Sequence, residues 1–307
     1  MTTALITHDA CYDHVTPNGH PEQVARLDAV LGALRDMDLL RVKAPLGAED
    51  DILLAHPKAH VTAIREAAPD SGWRSLDADT HMSVGTLEAA FRCVGGVTRA
   101  VDMVMGGEAK NAFVAMRPPG HHAERETPMG FCFFGNVAIA AKYAIAHHGL
   151  SRVAIVDFDV HHGNGTQDLV EDDARILFCS THQSPLYPGT GMAHEVGVDN
   201  VVNCPLPEGA GSKAFRDVMA RVVLPRVDAF APEILIISAG FDAHQADPLA
   251  GMNLTEDDFA WVTEKLCDLA DRHCKGRVVS SLEGGYDLVA LGASAAAHVT
   301  VLRERSE

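Results

Sequence analysis

The stretch VAIVDFDVHHGNGT, Val153–Thr166, decides how the chain is read. Its first half is an apolar run of the kind that forms a strand buried on both faces. As the run ends, Asp157, Asp159 and His161 fall at every second position. Alternation along a strand puts i, i+2 and i+4 on one face, so two carboxylates and an imidazole are expected to point the same way. Buried together, such groups repel one another unless they share a proton or a cation.

The same pattern recurs along the chain. Apolar runs appear as TALITH, NAFVAM, RVAIVDF, RILFCS, NVVNCPL, EILIISA and RVVSSL, each followed by a polar or glycine-rich turn. Helical periodicity marks 21–35, 86–105, 136–148, 212–230, 255–273 and 288–303. Strands buried on both faces and alternating with helices predict an α/β fold, a parallel sheet with helices on both sides. No linker or low-complexity tract divides the chain, so residues 1–307 are expected to form a single domain. In open parallel sheets ligands collect beyond the carboxyl ends of the strands. The chemically loaded segments do follow the runs: RPPGHH, DVHHGN, STHQSPLYPGTG, GFDAHQADPLAG and EGGYD. These loops are expected to converge on one rim.

Asp159, His161 and Asp242, the last just past LIISAGF, form a candidate ligand set for one divalent ion. Two carboxylates and a neutral imidazole balance the charge, and three protein ligands leave a position for water or substrate, as in catalytic zinc sites. Oxygen-rich ligation also admits Fe²⁺, Co²⁺ or Mn²⁺. Asp157, one pleat deeper, is suited to orient a neighbouring imidazole. His162 is expected to point away from His161, and His147–His148 before Gly149 reads as a helix end.

Pro118, Pro119 and Gly120 present His121 and His122 on a fixed loop. Two adjacent imidazoles with different partners make an acid and a base, and are equally compatible with two hydrogen-bonded loop histidines. Tyr286, after two glycines, either donates to a developing oxyanion or anchors the closing helix. Phe131, Leu186 and Tyr187 lie on turn-rich loops suited to lining a narrow apolar channel, whereas Phe133 and Phe134 read as core.

Composition narrows the class. A formal net charge of −17 argues against non-specific nucleic-acid binding and suits a cationic substrate, or simply solubility. No apolar run reaches the roughly 18 residues of a membrane helix. The N-terminus lacks the basic flank and apolar core of a secretory signal. Seven scattered cysteines without a CxxC pair read as reduced thiols. The cytoplasm is the expected compartment.

Together RPPGHHA, GFCFFGNVAIAAKY, VDFDVHHGNGTQ, YPGTG, SAGFDAHQADPLAG and LEGGYD resemble, in order, the motifs of the zinc-dependent histone deacetylase family. That family includes bacterial deacetylase-like and acetylpolyamine amidohydrolases, and GHPEQVARL is similar to the N-terminal motif of its class II branch. The resemblance implies an arginase/deacetylase-like three-layer fold around a mostly parallel eight-stranded sheet. It implies one zinc on Asp159, His161 and Asp242, and His121 and His122 as the catalytic pair. Asp157 would stand behind the first histidine and Asn164 behind the second. Tyr286 matches the catalytic tyrosine. Gly130, Phe131 and Tyr187 match the substrate tunnel, with Gly285 placed among the substrate-binding residues. A structural potassium is implied beside the zinc, through Asp157, Asp159, His161, Ser180 and Thr181. The implied activity is hydrolysis of acetyl-lysine in a peptide or protein, or of an acetylpolyamine or other small acetylated amine. Some members act as homo-oligomers. The alternatives are an arginase-like ureohydrolase with two manganese ions, for which Asp247 would have to be an extra ligand rather than a turn cap, and an inactive acetyl-lysine binder.

Overall fold

Each of the seven apolar runs forms a strand, and all seven lie in one sheet. The computed structural model describes residues 2–307. In chain order the elements are β1 (Thr3–Thr7), α1 (Ala25–Ala33), β2 (Leu40–Lys43), α2 (Glu49–Ile52), α3 (Lys58–Ala67), β3 (Trp73–Ser75), β4 (His81–Ser83), α4 (Thr86–Gly106), β5 (Asn111–Val114), α5 (Asn136–His148), β6 (Val153–Asp157), α6 (Asn164–Val170), β7 (Ile176–Gln183), β8 (Val201–Leu206), α7 (Ser212–Val218), α8 (Leu224–Phe230), β9 (Ile234–Ala239), α9 (Glu256–Cys274), β10 (Val278–Leu282) and α10 (Leu288–Glu304).

The main sheet has eight strands in the order β2-β1-β5-β10-β9-β6-β7-β8. Every pairing is parallel, not merely most of them. The eighth strand, β2, is missing from the list of apolar runs because it is an edge strand with most of its residues exposed. β3 and β4 form a separate antiparallel hairpin.

Alternation divides the strand residues between two cores. Ile6, Val114, Ile155, Phe178 and Ile236 pack with α4 and α5 residues such as Val97, Val101 and Val137. Leu5, Phe113, Val156, Leu177 and Ile237 pack with Phe259, Val262 and Leu266 of α9 and Val299 of α10. Both faces are covered by helices, which is why the strands read as unbroken apolar runs.

Helix ends follow local chemistry. Gly149 closes α5 at φ 67°, directly after the His147–His148 pair in its last turn. Thr255 and Asp258 form a reciprocal capping box at the start of α9. The helix expected over 212–230 is continuous but contains a π-helical turn at Met219–Val223 between α7 and α8. Pro225 has no N–H to donate to Arg221, and its ring crowds that carbonyl, so the ladder loosens there. The helix expected from Pro21 starts only at Ala25, because residues 21–24 form a turn that buries Glu22. No helix among the described residues is long and apolar enough to cross a membrane.

β5, β10, β9 and β6 are consecutive in the sheet. Their carboxyl ends lead to His121–His122, Tyr286, Asp242 and Asp159–His161 respectively.

Candidate active site

Three side chains meet where β6 and β9 end. His161 Nδ1 lies 3.1 Å from Asp159 Oδ1 and 3.0 Å from Asp242 Oδ2. The potential ligand atoms of Asp159, His161 and Asp242 all lie within 4.8 Å of one another, and among the described residues no other group of three His, Cys, Asp or Glu gathers this way. The pleat does not extend through them as expected: β6 stops at Asp157. Beyond it, the Asp159 N–H donates to Asp157 Oδ1, and the His161 N–H to Asp159 Oδ1. Successive carboxylate-capped turns, rather than strand alternation, carry the chain from Asp157 through Asp159 to His161.

The donor set fits a divalent cation. Asp159 and Asp242 are completely buried. Their outer oxygens accept from the Gly284 and Val160 N–H groups at 2.8 and 2.9 Å, which leaves the inner oxygens turned towards His161. Burial works against a charge on His161, but its hydrogen bonds to the accepting carboxylates of Asp159 and Asp242 raise its pKa to about 10. The pocket between them therefore attracts positive charge strongly. A Cβ at Gly284 would overlap both carboxylates, so the main chain can close over the ligands only with glycine there.

His121 and His122 sit beside this group with ring centroids 4.0 Å apart. His121 Nδ1 is 3.0 Å from Asp157 Oδ2, and its Nε2 is 3.8 Å from Asp159 Oδ2. His122 Nδ1 is 2.7 Å from Asn164 Oδ1, while Asn164 Nδ2 donates to Glu124 Oε1 at 2.7 Å. An amide oxygen only accepts, so His122 carries its proton on Nδ1 and offers Nε2 as a lone pair. Burial opposes charge on both rings. The carboxylates of Asp159 and Asp157 overcome it at His121 and raise that imidazole to about 10. At His122 nothing overcomes it: burial and the neighbouring His121 and His161 push it well below its ordinary value. One ring is held in its charged form and the other in its neutral form.

Tyr286 stands on the loop after β10, following Gly285 at φ 118°. Burial first, then the charge of Asp242, drive its hydroxyl well above the ordinary phenol value, so it is a donor at any physiological pH. Gly285 is not among the residues lining the channel, and its carbonyl accepts from Arg26 Nε at 2.6 Å.

A cavity of about 330 Å³ leads to His122, His161 and Tyr286, with Gly130, Phe131, Leu186 and Tyr187 among its walls. Phe131 meets Tyr286 edge-on at 5.9 Å, and Tyr187 meets His122 edge-on at 5.2 Å. Gly130 has φ 56°, and a Cβ there would overlap the His122 ring. Phe133 and Phe134 are core residues, as expected. His162 points elsewhere, to Thr190 and Gln167. Ser180 pairs in register with Asp157 across β6 and β7, and Thr181 follows it with its hydroxyl buried and unpartnered.

Sequence reasoning missed the groups that hold these loops. Glu22 lies between Arg117 and Arg26, with Arg117 bonded to both of its oxygens. Burial alone would raise Glu22, yet Arg117, His14 and Arg26 hold it well below the usual carboxylate range. Arg26 also donates to the carbonyls of Glu283 and Gly285. Glu283, lifted by burial to about 7, accepts from the Gly120 and His121 N–H groups. All four residues lie inside quoted motifs, but nothing local marks a partner 95 positions away.

The fold and this gathering of groups define a hydrolase of the arginase/deacetylase-like class. The sequence pattern of the histone deacetylase domain matches residues 20–302, and the chain belongs to the histone deacetylase family. It is 40% identical over 301 residues to "Histone deacetylase 10, chloroplastic" of Oryza sativa subsp. japonica, covering 90% of this chain and 68% of that protein. It is 40% identical over 272 residues to a histone deacetylase-like amidohydrolase of Pseudomonas aeruginosa, covering 87% and 71%. A probable deacetylase of Archaeoglobus fulgidus is 37% identical over 298 residues, covering 94% and 82%. The crystal structure of the HDA15 HD domain superposes with a TM-score of 0.94 at 35% identity, covering 99% of this chain and 89% of that one.

Proposed function

We propose that the chain, acting as one catalytic domain, hydrolyses the acetamide of acetyl-lysine or of an acetylated polyamine or small amine. The observation that carries this reading is that His122, His161 and Tyr286 border the inner part of a single, mostly apolar channel. Asp159, His161 and Asp242 would hold zinc, with Fe²⁺ or Co²⁺ as possible substitutes. When bound, the ion supplies a Lewis acid for the acetyl carbonyl and makes water more acidic.

The remaining chemistry falls to side chains. His122 Nε2 takes the proton of the attacking water, since its Nδ1 is committed to Asn164. Tyr286 donates a hydrogen bond to the oxygen on which negative charge develops. His121, protonated and held by Asp157, gives a proton to the leaving amine. Phe131 and Tyr187 grip the aliphatic stem behind the acetyl group. Asp79 at the channel mouth and the net charge of −17 favour a cationic substrate.

Potassium at Asp157, Asp159, His161, Ser180 and Thr181, a cytoplasmic location and a homo-oligomeric state belong to the same proposal; nucleic acid and membrane are not among its partners. An arginase-like binuclear centre lacks support, because one ligand cluster is found among the described residues. Asp247 is outside that cluster, and its Oδ1 accepts from the Leu249 N–H, as a turn cap does. An inactive binder lacks support because no candidate group is missing.

Turnover of an acetyl-lysine peptide and of N-acetylputrescine, before and after chelation and on zinc return, tests the proposal. We expect loss on chelation and recovery with zinc. Full activity in the chelated protein, with its metal confirmed absent, would refute it.

A further inference from the structure

We infer that Asp247 is a positioning residue: its carboxylate ties the Leu249 side of the channel to the loop carrying Tyr286 and so fixes where the phenol sits. The inference rests on the deacetylase reading only for its kinetic part.

The geometry is that of a tether. Asp247 is 7% exposed, on the loop after β9. One oxygen accepts from the Leu249 N–H at 3.0 Å. The other accepts from the Tyr286 N–H at 2.7 Å and, more weakly, from the Asp287 N–H at 3.4 Å. Leu249 and Tyr286 both line the channel. One carboxylate thus joins two walls that come from different strands.

The Tyr286 loop needs such a hold. Two glycines precede the tyrosine, and Gly285 sits at φ 118°, a region closed to other residues. Arg26 fixes the carbonyls of Glu283 and Gly285, and Asp159 fixes the Gly284 N–H. Asp287 caps α10 through the Val289 and Ala290 N–H groups. Between these anchors, the Tyr286 N–H is bonded to Asp247. Oxyanion stabilisation depends on donor placement, and a shift of about 1 Å costs up to roughly a hundredfold in rate.

Only a carboxylate serves both sides at once. Asp247→Asn keeps the volume but offers one acceptor oxygen, so its amide N–H₂ must face either the Leu249 or the Tyr286 donor. Asp247→Ala removes both bonds. We expect kcat to fall about tenfold in Asp247→Asn and further in Asp247→Ala, with KM within about twofold and bound metal per chain unchanged. In a Tyr286→Phe background the Asp247→Asn change should cost less than about twofold more, because its effect runs through the phenol. A merely structural role predicts equal losses in both backgrounds, and that result overturns the inference.

Amide hydrogen exchange over 283–287 supplies a readout independent of the reaction. At least tenfold faster exchange in Asp247→Asn, with the core strands unchanged, is expected. Unchanged exchange there overturns the tether. If the wild-type chain hydrolyses no acetamide, the proposed function fails by itself, and the exchange result still decides the tether.

Discussion

Tyr286 and His122 approach the channel from different strands, and each is buried so that one protonation state dominates. Burial keeps the Tyr286 hydroxyl protonated, which makes it a donor without a base of its own to satisfy. Tyr286→Phe should therefore lower kcat by about two orders of magnitude while bound metal, measured by elemental analysis, stays at the wild-type level. Asp242→Ala should instead lose the metal, since it removes one of the two carboxylates facing His161. Retention of one ion per chain in that variant would take Asp242 out of the ligand set. The candidate ligands were legible in sequence because metal chemistry restricts residue type, and three such residues stand directly beyond two apolar runs. Glu22, Arg26 and Arg117 were not. Their meaning lies in a buried ion cluster assembled from distant segments, and each alone reads as an ordinary helix or loop charge.

Among the elements, α10 shows how polar groups inside the core lock a helix to the sheet. His298 is fully buried, with Nδ1 2.6 Å from Thr263 Oγ1 of α9 and Nε2 2.8 Å from Ser280 Oγ of β10. Thr263 spends its own proton on the Phe259 carbonyl, so it accepts from His298 Nδ1–H, and Ser280 donates to Nε2. Burial lowers the His298 pKa to about 3. The unfolded chain, at its ordinary value near 6.5, takes up the proton first, so stability is lost as pH falls below that value and continues to fall until about pH 3. Each pH unit in this window costs up to about 1.4 kcal/mol for one such group. Urea unfolding between about pH 6 and pH 4 should show a shallower pH slope in His298→Gln than in wild type by roughly that amount. At this scale the sheet and most helices could be read from periodicity. β2 could not, because an exposed edge strand carries no apolar run. The π-helical turn at Met219–Val223 could not either, because a proline in a helical pattern signals a break without saying which kind.

For the molecule as a whole, charge and chain order matter most. With a net charge of −17, long-range attraction should raise the local concentration of a cationic substrate at a mouth that already carries Asp79. The KM for N-acetylputrescine should rise severalfold between about 0.05 M and 0.5 M salt, while that for an uncharged acetamide of similar length stays nearly constant. Equal salt dependence for the two substrates would assign the acidity to solubility alone. The position of β10 has a further consequence. It is the last strand of the chain, yet it lies between β5 and β9 in the middle of the sheet. During synthesis, then, the seven earlier strands emerge before the piece that joins their two halves, and β5 and β9 wait with unpaired edges open to wrong partners. A nascent chain should depend on protection over that interval, and the emergence of β10, rather than any earlier step, becomes the moment at which this protein can first close its sheet.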